Sequence, residues 1–370
     1  MRSLRSVLRD EKGVAMIMVA FALVMIFGFA ALAIDLSLMQ LARVQLHNAA
    51  DAGSLAGAMA LALSTGDEAG ATADAIAEAI RVAGLNVAVQ DSQRPVVIND
   101  ADVIVEYDLG KVTVNTHRTD STGDPVKLYF LKVLDPVVKN EGNMTASATA
   151  QVTPISGTSC LKPWCIPDKW ADADSDDTWD PGEFYDPYVT GYKVPDDIGV
   201  RVTLRPAKGS KWEPEWYFAV CFPPRNTGDP LTGTDVYREW ITGCEPYMVR
   251  IGDELLIEPG DMGVNTCNKV NELIDLDDGA QWDPVTNTVI NSAYPVSPRV
   301  IKVSAFDPTI GVQDAGPGGK YVTVSKIFVL FMEERCEGKQ IVGRFMKSVT
   351  EGEPCPGCPE GFLSTVVLVK

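Results

Sequence analysis

The chain has 370 residues, 46% hydrophobic and 22% charged; this ordinary globular composition excludes a wholly disordered protein and allows two folded units. A net charge of −18 argues against a nucleic-acid partner, because phosphate recognition needs a cationic surface. Two histidines leave no cluster for metal or acid–base chemistry. None of the eight cysteines (Cys160, Cys165, Cys221, Cys244, Cys267, Cys336, Cys355, Cys358) precedes position 160, and their even number predicts a disulfide framework made in an oxidising compartment.

Residues 1–13 form a basic leader in which Arg2, Arg5, Arg9 and Lys12 outweigh Asp10 and Glu11, a local charge of +2. Residues 14–34 (VAMIMVAFALVMIFGFAALAI) carry no charge. At about 1.5 Å per residue that run crosses a hydrocarbon core of about 30 Å, so a transmembrane helix is expected. The basic leader stays on the cytoplasmic side. The expectation is therefore a single-pass inner-membrane protein whose C-terminal domain is periplasmic or at the cell surface. The remainder of the chain then carries −18 − (+2) = −20. A cleaved signal peptide is the alternative. It fits less well, because the apolar run exceeds the usual core of about 7–15 residues and no small-x-small site precedes a polar start.

The helical pattern does not stop at the membrane boundary. Leu36, Met39, Leu41, Val44, Leu46, Ala49, Ala50, Gly53, Leu55, Met59 and Leu63 extend an apolar and small-residue stripe to the break at Ser64-Thr65-Gly66. One helix of about fifty residues would be about 75 Å long. Its alanines and glycines permit close approach of neighbouring helices, and such a stalk requires partners.

Ile34-Asp35-Leu36-Ser37 and the following LARVQLHNAADAGSLAGA (residues 41–58) resemble the amino-terminal segment of the Tad (tight adherence) Flp pilus-assembly proteins of the TadE/TadG-like type. In that family an apolar span runs into V-D-x-G and then A-R-x-x-L-Q-N-A-A-D-A-A-A-L-A. The match is close at Asp35, Ala42, Arg43, Leu46 and residues 48–52. It departs at Ser37 (usually glycine), His47 (glutamine) and Gly53 (alanine), none of which alters the helix. The resemblance implies a non-enzymatic, pilin-like component whose partners are the membrane and other pilin-like or pilus-assembly proteins, met through the N-terminal helix. Related pilin-like proteins are trimmed after a glycine, here Gly13. The fifth residue after that cut is usually glutamate and here is Met18, which leaves cleavage open.

Residues 35–153, the looser extent of the resemblance, read as the stalk plus an α+β module. A second helix is expected over Asp67–Ala83, with strands at Val96–Ile98, Val103–Tyr107 and Lys111–Thr116, the last two about an Asp108-Leu109-Gly110 turn. A short helix is expected over Val126–Leu134 and a closing strand over Met144–Thr153. Residues 154–164 read as a linker, and residues 165–370 as an extracytoplasmic, β-rich, disulfide-bonded domain. Its expected strands are Val200–Leu204, Trp216–Phe222, Arg299–Ala305, Tyr321–Glu333, Gln340–Met346 and Leu363–Val369, with a short helix around Asn268–Ile274. The fold class is α+β.

The sharpest chemical motif opens at Asp172. Counting from it, Asp172, Asp174, Asp176 and Asp180 fall at positions 1, 3, 5 and 9, and Glu183 at 12. That is the ligand spacing of a calcium-binding EF-hand loop, in which Thr178 at position 7 offers its carbonyl and Glu183 can bind through both oxygens. Position 6 is Asp177 where glycine is usual, and Pro167, Pro181 and Pro187 interrupt the flanks. The expectation is a calcium-loop mimic within a β-rich domain, holding structural Ca²⁺. A solvated acidic turn is the alternative.

Cys355-Pro-Gly-Cys358 lies in a Gly/Pro-rich turn rather than a helix start, which favours a structural role, as a local disulfide or as partners for distant cysteines, over redox chemistry. His47 and His117 read as structural or solvated. The seven tryptophans read as core and loop anchors rather than a carbohydrate platform. No hydrolase, zinc-protease or phosphate-loop motif occurs, so no enzyme is expected. The leading reading is a membrane-anchored pilin-like component with a calcium-stabilised outer domain; the alternative is a membrane-tethered adhesin or ligand-binding protein.

Overall fold

The computed structural model describes residues 11–86, 95–122, 124–130, 141–176, 178–180, 182–207 and 212–369. The chain divides into two compact units, residues 1–61, 68–151 and 368–370, and residues 62–67 and 152–367.

Unit one is built on helix α1, Glu11–Leu63, followed by α2, Glu68–Ala83. The stretch from Val14 to Leu63 is long and apolar enough to cross a membrane, by length and composition. Along its first part Met16, Phe21, Val24, Phe27 and Phe29 are fully presented outward. The character of the helix changes at Asp35. From there one face is buried, through Ala42, Leu46, Ala49, Ala50, Gly53, Ser54, Gly57 and Ala58, at the three- and four-residue spacing of a helix stripe.

That face is covered by the chain itself. Helix α2 turns Ala71, Ala75, Ala79 and Ala83 inward. A Cβ on Gly53 would lie 2.8 Å from the Ala83 Cβ, and one on Gly57 would lie 2.9 Å from Val112 and 3.0 Å from the Ala75 carbonyl oxygen. The glycines are needed because only a bare backbone admits this approach. The small-residue stripe expected to require partners thus receives, from Ala42 onward, an intramolecular one.

The sheet of unit one comprises β1 (Val103–Glu106), β2 (Lys111–Arg118) and β5 (Met144–Thr158, of which residues 144–151 belong here), with a small pair β3 (Val126–Lys127) and β4 (Glu141–Gly142). β1 and β2 are antiparallel, from Val103↔Val114 to Glu106↔Lys111, and β2 pairs β5 from Lys111↔Gln151 to Arg118↔Met144. Their hairpin is a single turn over Tyr107–Leu109 closed by Gly110 at φ +61°, a left-handed conformation that glycine adopts without strain. In β2, Val112, Val114, Thr116 and Arg118 alternate inward, and the Thr116 hydroxyl donates to the Leu46 carbonyl of α1 at 2.9 Å.

Two expected elements of this unit are corrected. Val96–Ile98 is not a strand: Val96 and Ile98 are buried, but the segment runs without a ladder into a turn over Asp100–Asp102. Val126–Leu134 is not helical where it is described. Val126–Lys127 pairs with Glu141–Gly142, and Phe130 N, which a helix begun at Val126 would give to the Val126 carbonyl, is given to Asp35. Residues 131–134 of that expected helix lie outside the described residues.

Unit two is organised around a closed barrel. Its elements in chain order are β6 (Leu161–Pro167), β7 (Arg201–Pro206), β8 (Trp216–Ala219), α3 (Thr234–Thr242), β9 (Val249–Arg250), β10 (Glu254–Leu256), α4 (Gly263–Leu276), β11 (Gln281–Asp283), β12 (Thr288–Ile290), β13 (Val300–Phe306), β14 (Gln313–Gly316), β15 (Gly319–Glu337), β16 (Gln340–Phe345), β17 (Ser348–Val349), β18 (Glu353–Pro354) and β19 (Leu363–Val369). The order β15-β13-β6-β8-β7-β16 returns to β15, so six strands form a ring without a free edge. Two pairings, β13 with β6 and β7 with β8, are parallel.

Every residue of β6 is buried. One face points into the barrel and the other lies under α3 and α4, where the Trp164 indole donates to the Tyr237 hydroxyl at 2.8 Å and Tyr237 meets Thr266 at 2.7 Å. Residues 154–164, which the sequence marks as a linker, run through the end of β5 and into β6. Pro163 and Pro167 disguise the strand, because proline normally signals an edge or a break. Helix α3 is not among the expected elements, although Tyr237, Trp240 and Ile241 follow helical spacing. The strand expected over Trp216–Phe222 ends at Ala219, after which Val220 bridges Ile257.

Six of the eight cysteines pair, as Cys160–Cys244, Cys267–Cys336 and Cys355–Cys358. Cys165 and Cys221 are buried free thiols, which corrects a framework of all eight. The first two bridges tie segments 84 and 69 residues apart, the range in which cross-linking most restricts an unfolded chain. The third closes the C-x-x-C turn locally.

Candidate functional site

The first functional region is the point where α1 ceases to be uniformly apolar. Asp35 is 2% exposed and its two carboxylate oxygens accept the backbone N–H groups of Tyr129 and Phe130, each at 2.8 Å. Just beyond, Ala42 packs with Val126 and Leu128, and Met39 and Met144 close the cluster. The Asp35 carboxylate therefore acts as a clasp, fastening a bend of the α+β module to the helix immediately past the apolar run. Above it the Ala/Gly face of α1 seats α2 and β2, as described.

This stretch of helix, with an acid after the apolar run and Asn48-Ala49-Ala50-Asp51 further on, is what a family model recognises. Residues 13–60 match the Tad family, described as putative Flp pilus-assembly TadE/G-like. This is a Tad segment. It spans 48 of 370 residues (13 to 60 inclusive), so the family speaks for α1 and leaves the barrel unassigned. No curated protein and no solved structure matches the chain.

In structural terms, the Tad signature residues divide by helix face. Asp35, Ala42, Leu46, Ala49 and Ala50 are buried against the chain's own module, whereas Arg43 and Asn48 face outward. The buried residues thus serve docking within the chain, and the outward ones are available for contacts beyond it. An apolar N-terminal helix of this length, together with three disulfides, marks a membrane-anchored extracytoplasmic chain.

The second region is the acidic loop of unit two. One carboxylate oxygen from each of Asp172, Asp174 and Asp176 lies within 4.8 Å of the others. The loop is shaped by its own acids: Asp172 accepts Ser175 N at 2.7 Å and Asp176 accepts Thr178 N at 2.7 Å. Glu183 accepts Ala173 N at 3.1 Å and Asp180 N at 3.0 Å, so its two oxygens brace both arms of the loop. Asp172, Asp174 and Asp176 are thus brought together, while Asp180 and Glu183 form the brace. The Asp174 carboxyl is held above its ordinary range by desolvation and by the charges of Asp176 and Asp172.

A buried ion pair fixes the base of this loop. Asp168, wholly buried, accepts Lys169 N (2.9 Å) and Tyr192 N (2.8 Å) on one oxygen, and the Tyr185 hydroxyl (2.8 Å) and Lys326 ammonium (2.7 Å) on the other. Lys326, from β15, also donates to the carbonyls of Tyr192 and Pro187. Ala171 bridges Phe184, and Trp170 meets Trp179 edge-on at 6.0 Å. The loop is therefore closed by a β-bridge rather than by paired helices.

A second buried cation site lies on neighbouring strands. Lys162 of β6 donates to the Gly243 carbonyl at 2.8 Å, and Lys302 of β13 to the hydroxyls of Thr158 (3.0 Å) and Thr350 (3.3 Å). Burial, then the charge of Lys302, pushes the Lys162 ammonium down to about 8. Burial pushes Lys302 down to about 8 against the opposing pull of Glu351. Asp168, Lys326, Lys162 and Lys302 belong to no motif in the sequence; for the three lysines the signal is a lone charge inside an apolar strand pattern, as in LKPWCIP, VIKVSAF and SKIFVLF. His117 lies 3.6 Å from Asp102 at the edge of β2, and His47 is half-buried on α1.

Proposed function

We propose that this chain is a membrane-anchored, pilin-like structural or assembly component of a Tad/Flp-type pilus system. The observation that carries the reading is the coincidence of the Tad segment with a membrane-length helix whose small-residue face is docked on its own α+β module. In this reading α1 crosses the inner membrane once, with the basic leader in the cytoplasm and unit two in the periplasm or at the cell surface. The disulfides fit that side of the membrane. Other pilin-like or assembly subunits meet the outward face of α1, and the role is non-enzymatic. Surface filaments sheared from cells that produce the chain are expected to contain it. Recovery from the membrane fraction alone, with filaments assembled normally in its absence, would falsify the assignment.

The acidic loop is proposed to hold structural Ca²⁺ through Asp172, Asp174, Asp176, the Thr178 carbonyl, Asp180 and Glu183. The three convergent aspartates supply hard oxygen donors, and a cation would relieve the crowding that raises Asp174. Glu183 would exchange its two backbone amides for the ion. Millimolar calcium is expected to raise the unfolding temperature of unit two, and Asp174→Asn with Asp176→Asn to abolish the rise. An unchanged midpoint in the wild type rules the site out.

One feature favours the second reading, a tethered adhesin. Phe184, Tyr188 and Val189 are exposed beside the acidic loop and offer apolar contact to a ligand. Affinity of the intact chain for glycans or surfaces, without incorporation into filaments, distinguishes that reading.

A further inference from the structure

Resting on the proposed membrane anchor, a second lipid contact follows from where unit one places its aromatic residues. The uncharged run of residues 14–34 is about 30 Å long as a helix, which matches the hydrocarbon core with nothing to spare. Ile34 therefore lies at the far boundary of that core, and Asp35 lies at the headgroup level. Asp35 holds Tyr129 N and Phe130 N at 2.8 Å, so the bend at residues 128–130 is fixed at the same height.

The side chains of that bend divide in two. Leu128 is buried with Ala42 on the protein side. Tyr129 and Phe130, by contrast, are 59% and 37% exposed, two adjacent aromatics facing outward. The rest of the module climbs away from this level. Thr116 is bonded at Leu46, Val114 packs at Gly53 and Val112 at Gly57. Gly57 is 22 residues past Asp35, about 33 Å further along the helix axis, so the β1–β2 hairpin is remote from the bend.

We propose that Tyr129 and Phe130 insert into the headgroup layer of the same bilayer that α1 crosses, making the Leu128–Phe130 bend a second, interfacial anchor. The occupant is lipid because the bend is continuous with the lipid-facing helix surface and is held at its boundary. The chemistry fits that layer, which favours aromatic rings with an apolar body and, in tyrosine, a polar tip. Two attachments joined by the Asp35 clasp would fix the height and rotation of α1 at the membrane exit. A single helix without the second attachment is free to slide and turn.

The test is the depth of a nitroxide label on the full chain in lipid nanodiscs, at three engineered single sites: Met18→Cys, Tyr129→Cys and Leu109→Cys. The native free thiols, Cys165 and Cys221, are buried and remain unlabelled in the folded chain. Position 18 is expected to collide with oxygen far more than with an aqueous nickel chelate, and position 109, at the hairpin, the reverse. Position 129 is expected between them, with oxygen favoured several-fold over its ratio at position 109. A label at 129 as aqueous as that at 109, while 18 reads deep, overturns the proposal and leaves the anchor standing. Shielding of 129 from both relaxants assigns the bend to a protein contact and also overturns it. An aqueous reading at 18 removes the membrane anchor and this inference together.

Discussion

Lys326→Met is expected to destabilise unit two by about 3–5 kcal/mol, the cost of leaving a buried charge without its partner. Asp168 has no exposure, and burial already pushes its carboxyl upward against the pull of Lys326. The substitution leaves Asp168 with Tyr185, Tyr192 N and Lys169 N alone, and takes the donor from the carbonyls of Tyr192 and Pro187. The sign of the pH dependence follows. A carboxyl whose folded value is raised contributes stability below its unfolded value that is lost as pH rises through the folded one, so the deficit of the variant narrows as pH falls toward about 4. Denaturant unfolding followed by tryptophan fluorescence reads this cleanly, because all seven tryptophans, from Trp164 to Trp282, belong to unit two. Asp168→Leu combined with Lys326→Met should cost less than the sum of the single changes, since it removes both charges. A single-variant loss under about 1 kcal/mol sinks the account of the loop base.

The second large effect is a rise in the stability of unit two between about pH 7.5 and pH 10, where most proteins lose stability or stay level. Lys162 and Lys302 are held at about 8, below the ordinary lysine range. Across that interval the unfolded chain binds more protons than the folded one, so stability increases with pH. Lys162, 8% exposed, accounts for about 3 kcal/mol over the full interval. Lys302 adds less, because it is partly solvated. The window closes near pH 10, where buried Tyr217 and Tyr237 and half-buried Tyr192, all pushed upward chiefly by burial, stay protonated in the folded state while their unfolded counterparts ionise. Thermal melting of the wild type should therefore peak near pH 10, and Lys162→Met should flatten the rise and be the more stable of the two at pH 7. A wild-type midpoint that falls steadily from pH 7.5 contradicts the assignment.

The Asp168–Lys326 pair also shows why the acidic loop stays in place despite its self-repulsion. Asp174 and Asp176 face solvent, where like charges are screened, and Asp172 is half-buried, while the dry acid at the base, Asp168, is given four donors. Charge crowding at the tip and charge pairing at the base are thus solved separately.

Sequence alone determined the two helices and the β1–β2 hairpin of unit one from their periodicity. An uncharged run of membrane length, a stripe of alanine and glycine at helical spacing, and two alternating strands about a glycine turn are local patterns, and local patterns set α1, α2, β1 and β2 within a few residues. The acidic spacing from Asp172 to Glu183 was equally plain. What a linear pattern does not carry is which groups meet across distance. The closure of the barrel rests on β13 pairing in parallel with β6, as at Lys302↔Leu161, and on β16 pairing with β7, as at Ile341↔Leu204, contacts between strands far apart in the chain. The Asp35 clasp joins residues 94 apart, and Lys326 reaches Asp168 across 158 positions (326 − 168). A hydrogen bond or ion pair of that separation leaves no period behind. Hence the helix that anchors the chain was written in its composition, while the contacts that lock its bend, loop and buried lysines were decided only when the backbone folded and removed those groups from water.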